Sequence, residues 1–130
     1  MEHLTPKEAA QFLDDNPKAL FIDCRSEMEF LFVGHPKDCL HVSWNDGPDW
    51  EVNPHFVGEV KKLAGHAHDR PVVIICRSGN RSVDAGNALE AAGFERVYNV
   101  LHGFEGELDD DHHRGMTNGW RFDGLPWEQC

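Results

Sequence analysis

The chain contains 130 residues and carries a formal charge of −11, from 23 acidic residues against 12 Lys and Arg. This acidic balance argues against nucleic acid and against an anionic membrane surface as partners, because both bind basic surfaces. No apolar run approaches the ~20 residues that a membrane span needs. The length is that of one domain with a core of its own, and we expect residues 1–130 to form it.

The cysteines are widely spaced, and none belongs to a Cys-x-x-Cys pair: they are Cys24, Cys39, Cys76 and Cys130. This spacing does not favour a disulfide framework and indicates a reducing compartment. The first residues, MEHLTPKEAAQFL, lack the long apolar stretch of a signal peptide. We therefore expect a cytoplasmic protein. The two histidines of the segment 66–68 are too few for a metal site, so we expect neither metal nor other cofactor.

Alternating strand and helix patterns predict a parallel sheet with helices on both faces. The first helix should begin after Thr5, which forms a capping box with Glu8 and precedes a proline. The remaining patterns predict, in chain order, strand 20–23, a short helix over 27–32 capped by Ser26, strand 40–42, a helix from 53 to 65, strand 72–76, a helix over 82–92 and strand 97–100.

The strand Val72 to Cys76 is continuously apolar and runs into a polar loop, RSGNRS at 77–82. Such a strand is typical of the buried centre of a parallel sheet, whose carboxyl edge is where ligands bind. The amides of a loop that precedes a helix attract anions, and Arg77 and Arg81 add positive charge. Both effects favour the thiolate of Cys76, which makes this residue a candidate nucleophile.

These residues carry a family resemblance. The six-residue segment CRSGNR at 76–81 resembles the active-site loop of the rhodanese family. A second stretch is similar to the family's strand-Asp-x-Arg, Glu-Phe and Gly-His pattern: FIDCRS at 21–26, Glu29-Phe30 and Gly34-His35. The resemblance covers residues 4–105. It implies a three-layer α/β/α fold with a mostly parallel sheet of about five strands, one more than the periodicity predicts.

The resemblance also implies a function. It is that of a sulfurtransferase that moves sulfane sulfur from thiosulfate or another donor through a persulfide on Cys76 to cyanide or a thiol. The residues expected to bind substrate are Arg77, Ser78, Gly79, Asn80, Arg81 and Ser82. The donor and the acceptor are expected to be small molecules, with a protein donor or acceptor left open.

Three further residues are expected to support the site. A carboxylate and a guanidinium at the end of a strand usually tie neighbouring loops together, and we assign this role to Asp23 and Arg25. Cys24, which lies between them, is expected to point into the core. His35 is expected to hold a loop through its ring nitrogens.

Three other functions are compatible with parts of this sequence. The first is a sulfur carrier loaded by a protein persulfide, with little activity on thiosulfate. The second is a cysteine phosphatase or arsenate reductase, whose Cys-x5-Arg loop is one residue longer than the loop from Cys76 to Arg81. The third is an inactive interaction domain, a class that usually lacks the cysteine.

The remaining expectations concern the pocket rim and the end of the chain. Residues 36–43 depart from the family pattern, which puts the shape of the rim in question. Trp44 and Trp50 would either wall the active site or cover an open edge of the core. Phe104 stands where the family turn has a glycine and is expected to narrow the pocket mouth. The apolar side chains of segment 106–130 predict an extension that packs back on the domain.

Overall fold

The computed structural model describes residues 1–129; Cys130 lies outside the described residues. In chain order the elements are β1 (Glu2–Leu4), α1 (Pro6–Asp15), β2 (Leu20–Asp23), a π-helical turn (Glu29–Val33), β3 (His35–Pro36), β4 (Leu40–His41), α2 (Phe56–Leu63), β5 (Val72–Ile75), α3 (Arg81–Ala91), β6 (Val97–Val100) and β7 (Trp127–Glu128).

The five-stranded central sheet has the order β1-β6-β5-β2-β4, and every neighbouring pair is parallel. Its flanking helices complete the predicted α/β fold, which is confirmed. The apolar residues of α1 pack on one face of the sheet, and those of α2 and α3 pack on the other. β5 is central, so the loop that follows it leaves the carboxyl edge between two neighbouring strands.

Periodicity missed β1, the fifth strand. This strand has three residues, pairs only with β6 at the edge of the sheet and is largely exposed. A short edge strand needs no apolar alternation, so its sequence carried no strand pattern.

The helix starts follow local hydrogen bonding. Thr5 caps α1 as predicted: its hydroxyl accepts from the Glu8 amide at 3.2 Å, and the Glu8 carboxylate accepts from the Thr5 amide at 2.9 Å. α2 begins at Phe56, three residues later than predicted, because Asn53 instead uses its side chain to accept from the amide of His55. Ser26 caps the turn that follows it, accepting from the Glu29 amide at 3.3 Å.

The C-terminal extension packs on the domain through Trp120, which is buried against the sheet, and through β7, which pairs with β3 in a separate two-stranded sheet. Phe104 is 0% exposed and lies against Trp127 and beneath Arg121. The expectation that Phe104 narrows a pocket mouth is therefore wrong, because its ring is part of the core. Among the described residues, no helix is both long and apolar enough to span a bilayer.

A buried ion pair closes the end of β2. The Arg25 guanidinium donates to both carboxylate oxygens of Asp23, at 2.7 Å for the closest contact, and to the carbonyl of Gly34. Its planar group also lies 4.5 Å from the centre of the Phe104 ring. The pair thereby connects β2 to the segment before β3 and to the turn after β6.

Replacing Asp23 by Asn should lower the free energy of unfolding by about 3–5 kcal/mol, because it leaves a buried guanidinium without its counter-charge. Urea unfolding of the two proteins measures the difference. Asp14→Asn is the matched control: Asp14 is exposed, and its change should stay within about 0.5 kcal/mol. Equal unfolding midpoints for Asp23→Asn and the parent would contradict the prediction.

Candidate active site

Cys76 follows the last residue of β5 and is 1% exposed. The amide of Gly79 donates to its Sγ at 3.1 Å, and the Ser82 hydroxyl lies 3.2 Å from the same sulfur. Both partners belong to the predicted loop, which therefore folds back over the sulfur. Its outer side chains, Arg77 and Asn80, are exposed.

These contacts lower the pKa of Cys76 to about 5. The largest contribution comes from the Cys24 side chain; the Ser82 hydroxyl and amide and the Gly79 amide add to it. Burial raises the pKa and is outweighed. The sulfur is accordingly a thiolate at neutral pH, which is the reactive form.

The sequence did not predict two features around the Cys76 sulfur, the effect of Cys24 and the bond between Ser82 and Asn99. Cys24 was expected in the core, and it is fully buried, but it also acts on the Cys76 sulfur. The Ser82 hydroxyl also donates to Asn99, whose amide nitrogen lies 3.1 Å from Nδ1 of His3. Since a hydroxyl has one proton, Asn99 and the Cys76 thiolate compete for it.

Arg81 has a partner in the structure. Its two terminal nitrogens each lie 2.8 Å from an oxygen of Glu29, in a fork-like pair. Burial raises the pKa of Glu29, but the hydrogen bonds and charge of Arg81 and the bonds from Ser26 lower it to about 2. Arg81 was expected to face an anion; here a carboxylate already balances its charge. The Glu29-Phe30 motif was the sequence signal that could have suggested this.

A cleft of about 810 Å³ opens beside the loop. Its lining includes three arginines and three acidic residues: Arg77, Arg81, Arg114, Glu29, Asp46 and Glu105. Glu29 pairs with Arg81, and Glu105 lies 3.9 Å from Arg25. Within the described part of the chain, Arg77 makes no ion pair or side-chain hydrogen bond, so its charge is available to a bound anion.

Trp44 and Trp50 lie in different environments. Trp50 lines the cleft, whereas Trp44 packs edge-on against Phe56 with ring centres 5.2 Å apart. One therefore walls the site and the other covers the core edge.

A turn after β6 holds the loop backbone. The amides of Phe104 and Glu105 donate to the carbonyls of Cys76 and Arg77 at 2.8 and 2.9 Å. Gly103 sits so close that a Cβ there would lie 2.6 Å from the carbonyl carbon of Arg77. This approach, together with its φ of +62°, accounts for glycine at this position.

His35 lies outside the loop, in β3. Its Nδ1 is 3.0 Å from the carbonyl of Phe30, its Nε2 is 3.4 Å from Glu128, and its ring stacks on Phe30. These contacts join the π-helical turn to the C-terminal extension. Among the described residues, no hydrogen bond joins Asp23, Arg25 or His35 to the Cys76 sulfur.

The thiolate of Cys76 should titrate with a midpoint near pH 5, because the pKa is lowered to about 5. The thiolate form should therefore persist from neutral pH down to about pH 6 and be lost as the pH falls through 5. Ultraviolet absorbance of the thiolate during a pH titration measures this, with Cys76→Ser as the control that lacks the transition. A midpoint near the ~8.5 of a free cysteine would contradict the assignment.

Known proteins are similar to this chain in sequence and in fold. The family model for the rhodanese-like domain matches residues 5–108. Rv0390 from M. tuberculosis, a solved structure, is 41% identical with a TM-score of 0.88, over 100% of this chain and 98% of that one. The polysulfide-sulfur transferase homodimer from Wolinella succinogenes is 27% identical with a TM-score of 0.68, over 100% and 80%. Thiosulfate sulfurtransferase GlpE of Actinobacillus pleuropneumoniae serotype 3 is 28% identical over 96% of this chain and 91% of its own length. The loop CRSGNR, the sheet and the family match agree, and the chain belongs to the rhodanese-like domain family.

Proposed function

We propose that the protein is a sulfurtransferase that accepts sulfane sulfur from thiosulfate, or from another small donor, on Cys76. The observation that carries the proposal is a thiol with a pKa near 5 beneath a loop amide, beside a cleft that holds the unpaired charge of Arg77. Family membership and the names of the relatives given above support the same chemistry. The reduced thiol that this reaction needs is also why we propose a cytoplasmic location.

The reaction would take place in two displacements. The Cys76 thiolate attacks the outer sulfur of thiosulfate, an S–S bond forms at the cysteine, and the original S–S bond breaks with its electron pair leaving on sulfite. The product is a persulfide anion on Cys76. A thiol or cyanide then attacks the terminal sulfur, and Cys76 departs as the thiolate.

The loop residues have different parts in these steps. The Gly79 amide already donates to the sulfur, and a preorganised donor of this kind stabilises charge without rearrangement. Arg77, exposed on the cleft side, would bind the anionic donor and the departing sulfite. Arg81 would act mainly through Glu29, holding the π-helical turn against the loop. Ser78 and Asn80 belong to the same loop and remain proposed substrate contacts.

A second function, that of a carrier loaded by a protein persulfide, is favoured by one observation. Two large apolar side chains of the cleft are exposed, Met28 at 66% and Trp50 at 51%. Side chains of these types are enriched at protein interfaces. Loading by a cysteine desulfurase, set against the thiosulfate reaction, distinguishes a carrier from an enzyme with a small donor.

Exposure to thiosulfate should make the intact protein heavier by one sulfur atom, and cyanide should remove that atom with formation of thiocyanate. Mass spectrometry under non-reducing conditions measures both steps. Cys76→Ser should gain no sulfur, whereas Cys39→Ser, which removes a half-buried thiol elsewhere, should behave like the parent. Normal loading of Cys76→Ser would refute the proposed nucleophile.

Arg77→Ala should raise the KM for thiosulfate about tenfold, since a hydrogen bond to a charged group is worth about 1.5–3 kcal/mol. An uncharged persulfide donor should be affected much less. Steady-state kinetics with both donors tests this. Arg96→Ala removes the same charge from an exposed residue next to the opposite end of the sheet and serves as the control. Equal losses for the two arginine variants would contradict a specific role for Arg77.

A further inference from the structure

Cys24 and Cys76 directly follow the ends of two paired strands. The parallel register of β2 and β5 ends with Asp23 opposite Ile75, and the Cys24 amide donates to the carbonyl of Ile75 at 2.9 Å. The next position along each chain is a cysteine. Adjacent strands are about 4.8 Å apart, which lies within the roughly 4.4–6.8 Å between Cα atoms that a disulfide bridges.

Both thiols also point to the same face of the sheet. Side chains alternate along a strand, and Cys24 and Cys76 share one core cluster with Ile22 and Ile74. Their neighbours Phe21, Val73 and Ile75 belong to the cluster on the other face. The two sulfurs are therefore brought together by the sheet itself.

The surroundings of Cys24 shield its thiol from solvent. Its side chain is 0% exposed, so a reagent in solution does not contact it directly. Burial raises the pKa of Cys24 well above its usual value, and the nearby Cys76 raises it further. In the resting protein Cys24 thus stays protonated beside the Cys76 sulfur, whose thiolate form it helps to stabilise.

We propose that Cys24 is a resolving thiol that discharges a persulfide on Cys76 as hydrosulfide. This inference rests on the proposed function, because it begins from the loaded cysteine. The Cys24 sulfur attacks the inner sulfur of the persulfide, a Cys24–Cys76 disulfide forms, and the bond to the terminal sulfur breaks. The terminal sulfur keeps the electron pair, takes the proton of the Cys24 thiol and leaves as HS⁻.

The step balances without an external oxidant. The sulfane sulfur is reduced to the level of sulfide, and the two cysteine sulfurs are together oxidised by the same two electrons. The negative charge that the persulfide carried departs on HS⁻. A small thiol reductant would reopen the disulfide, so that the protein would release sulfide from its donor when no acceptor removes the sulfur first.

The position of Cys39, a partly buried thiol, excludes it from this role. Cys39 packs with the cluster on the opposite face of the sheet, so β2 and β5 lie between it and Cys76. Removing Cys39 takes away a thiol without touching the pair. It is therefore the matched control for Cys24.

The test follows the fate of loaded protein. The parent, Cys24→Ala and Cys39→Ala are loaded with thiosulfate, freed of donor by desalting and kept without acceptor or reductant. Intact mass, released sulfide and non-reducing peptide mapping are then measured over time. We expect the parent and Cys39→Ala to lose the added sulfur and two hydrogen atoms, to release one sulfide per chain and to yield a Cys24–Cys76 peptide pair. Cys24→Ala should keep its added sulfur.

Other outcomes overturn the inference in distinguishable ways. Parent protein that stays loaded, or that releases sulfide as fast as Cys24→Ala, would exclude a resolving role while leaving the proposed function intact. A disulfide between two Cys76 residues would exclude it as well. Parent protein that never gains sulfur would refute both proposals. If Cys24→Ala does not fold, Cys24→Ser replaces it, and the peptide map of the parent decides by itself.

Discussion

The site depends on the backbone of Cys76 and Arg77 being held from outside the loop. The turn after β6 donates two amides to their carbonyls, and Gly103 lets the two segments approach this closely. The Gly103 carbonyl of the same turn accepts from the amide of Trp120. The C-terminal extension therefore holds the turn in place, and the turn holds the loop. An extension that is distant in sequence thereby positions Cys76, and the indole ring of Trp120 is buried on the sheet as part of that connection.

Ion pairs around this frame leave the charge of Arg77 unpaired at the cleft of an acidic protein. The chain carries a net −11, and acidic side chains line the cleft as well as arginines. Glu29 is matched by Arg81, and Asp23 by Arg25, each in a two-oxygen or fork-like contact. Among the described residues, the cleft is also lined by three charged side chains without an ion pair: Arg77, Arg114 and Asp46. The acids therefore organise the loop and the sheet end without cancelling the group that would meet an anion.

Cys24 has two effects that oppose each other, one on the resting Cys76 thiolate and one on a loaded Cys76. A thiol beside Cys76 lowers the pKa of Cys76, which in the proposed reaction favours attack on a donor. The same nearness allows that thiol to react once the sulfur is loaded. In the proposed reaction burial separates the two roles in time, since it keeps Cys24 protonated until a persulfide on Cys76 presents an electrophilic sulfur. The family pattern Asp-x-Arg specifies the residues on either side of Cys24 and leaves that position free.

The sequence by itself determined the fold class and the family, and it predicted Cys76 as the nucleophile. A continuous apolar strand that ends in Cys76 and a six-residue loop are local patterns, so neighbouring residues suffice to read them. Only the tertiary structure decided two pairings and two placements. The pairings are Glu29 with Arg81 and Cys24 with Cys76, and the placements are Phe104 in the core and β1 at the sheet edge. Each of these depends on strand register or on contacts between distant segments, and neither leaves a periodic trace in one sequence.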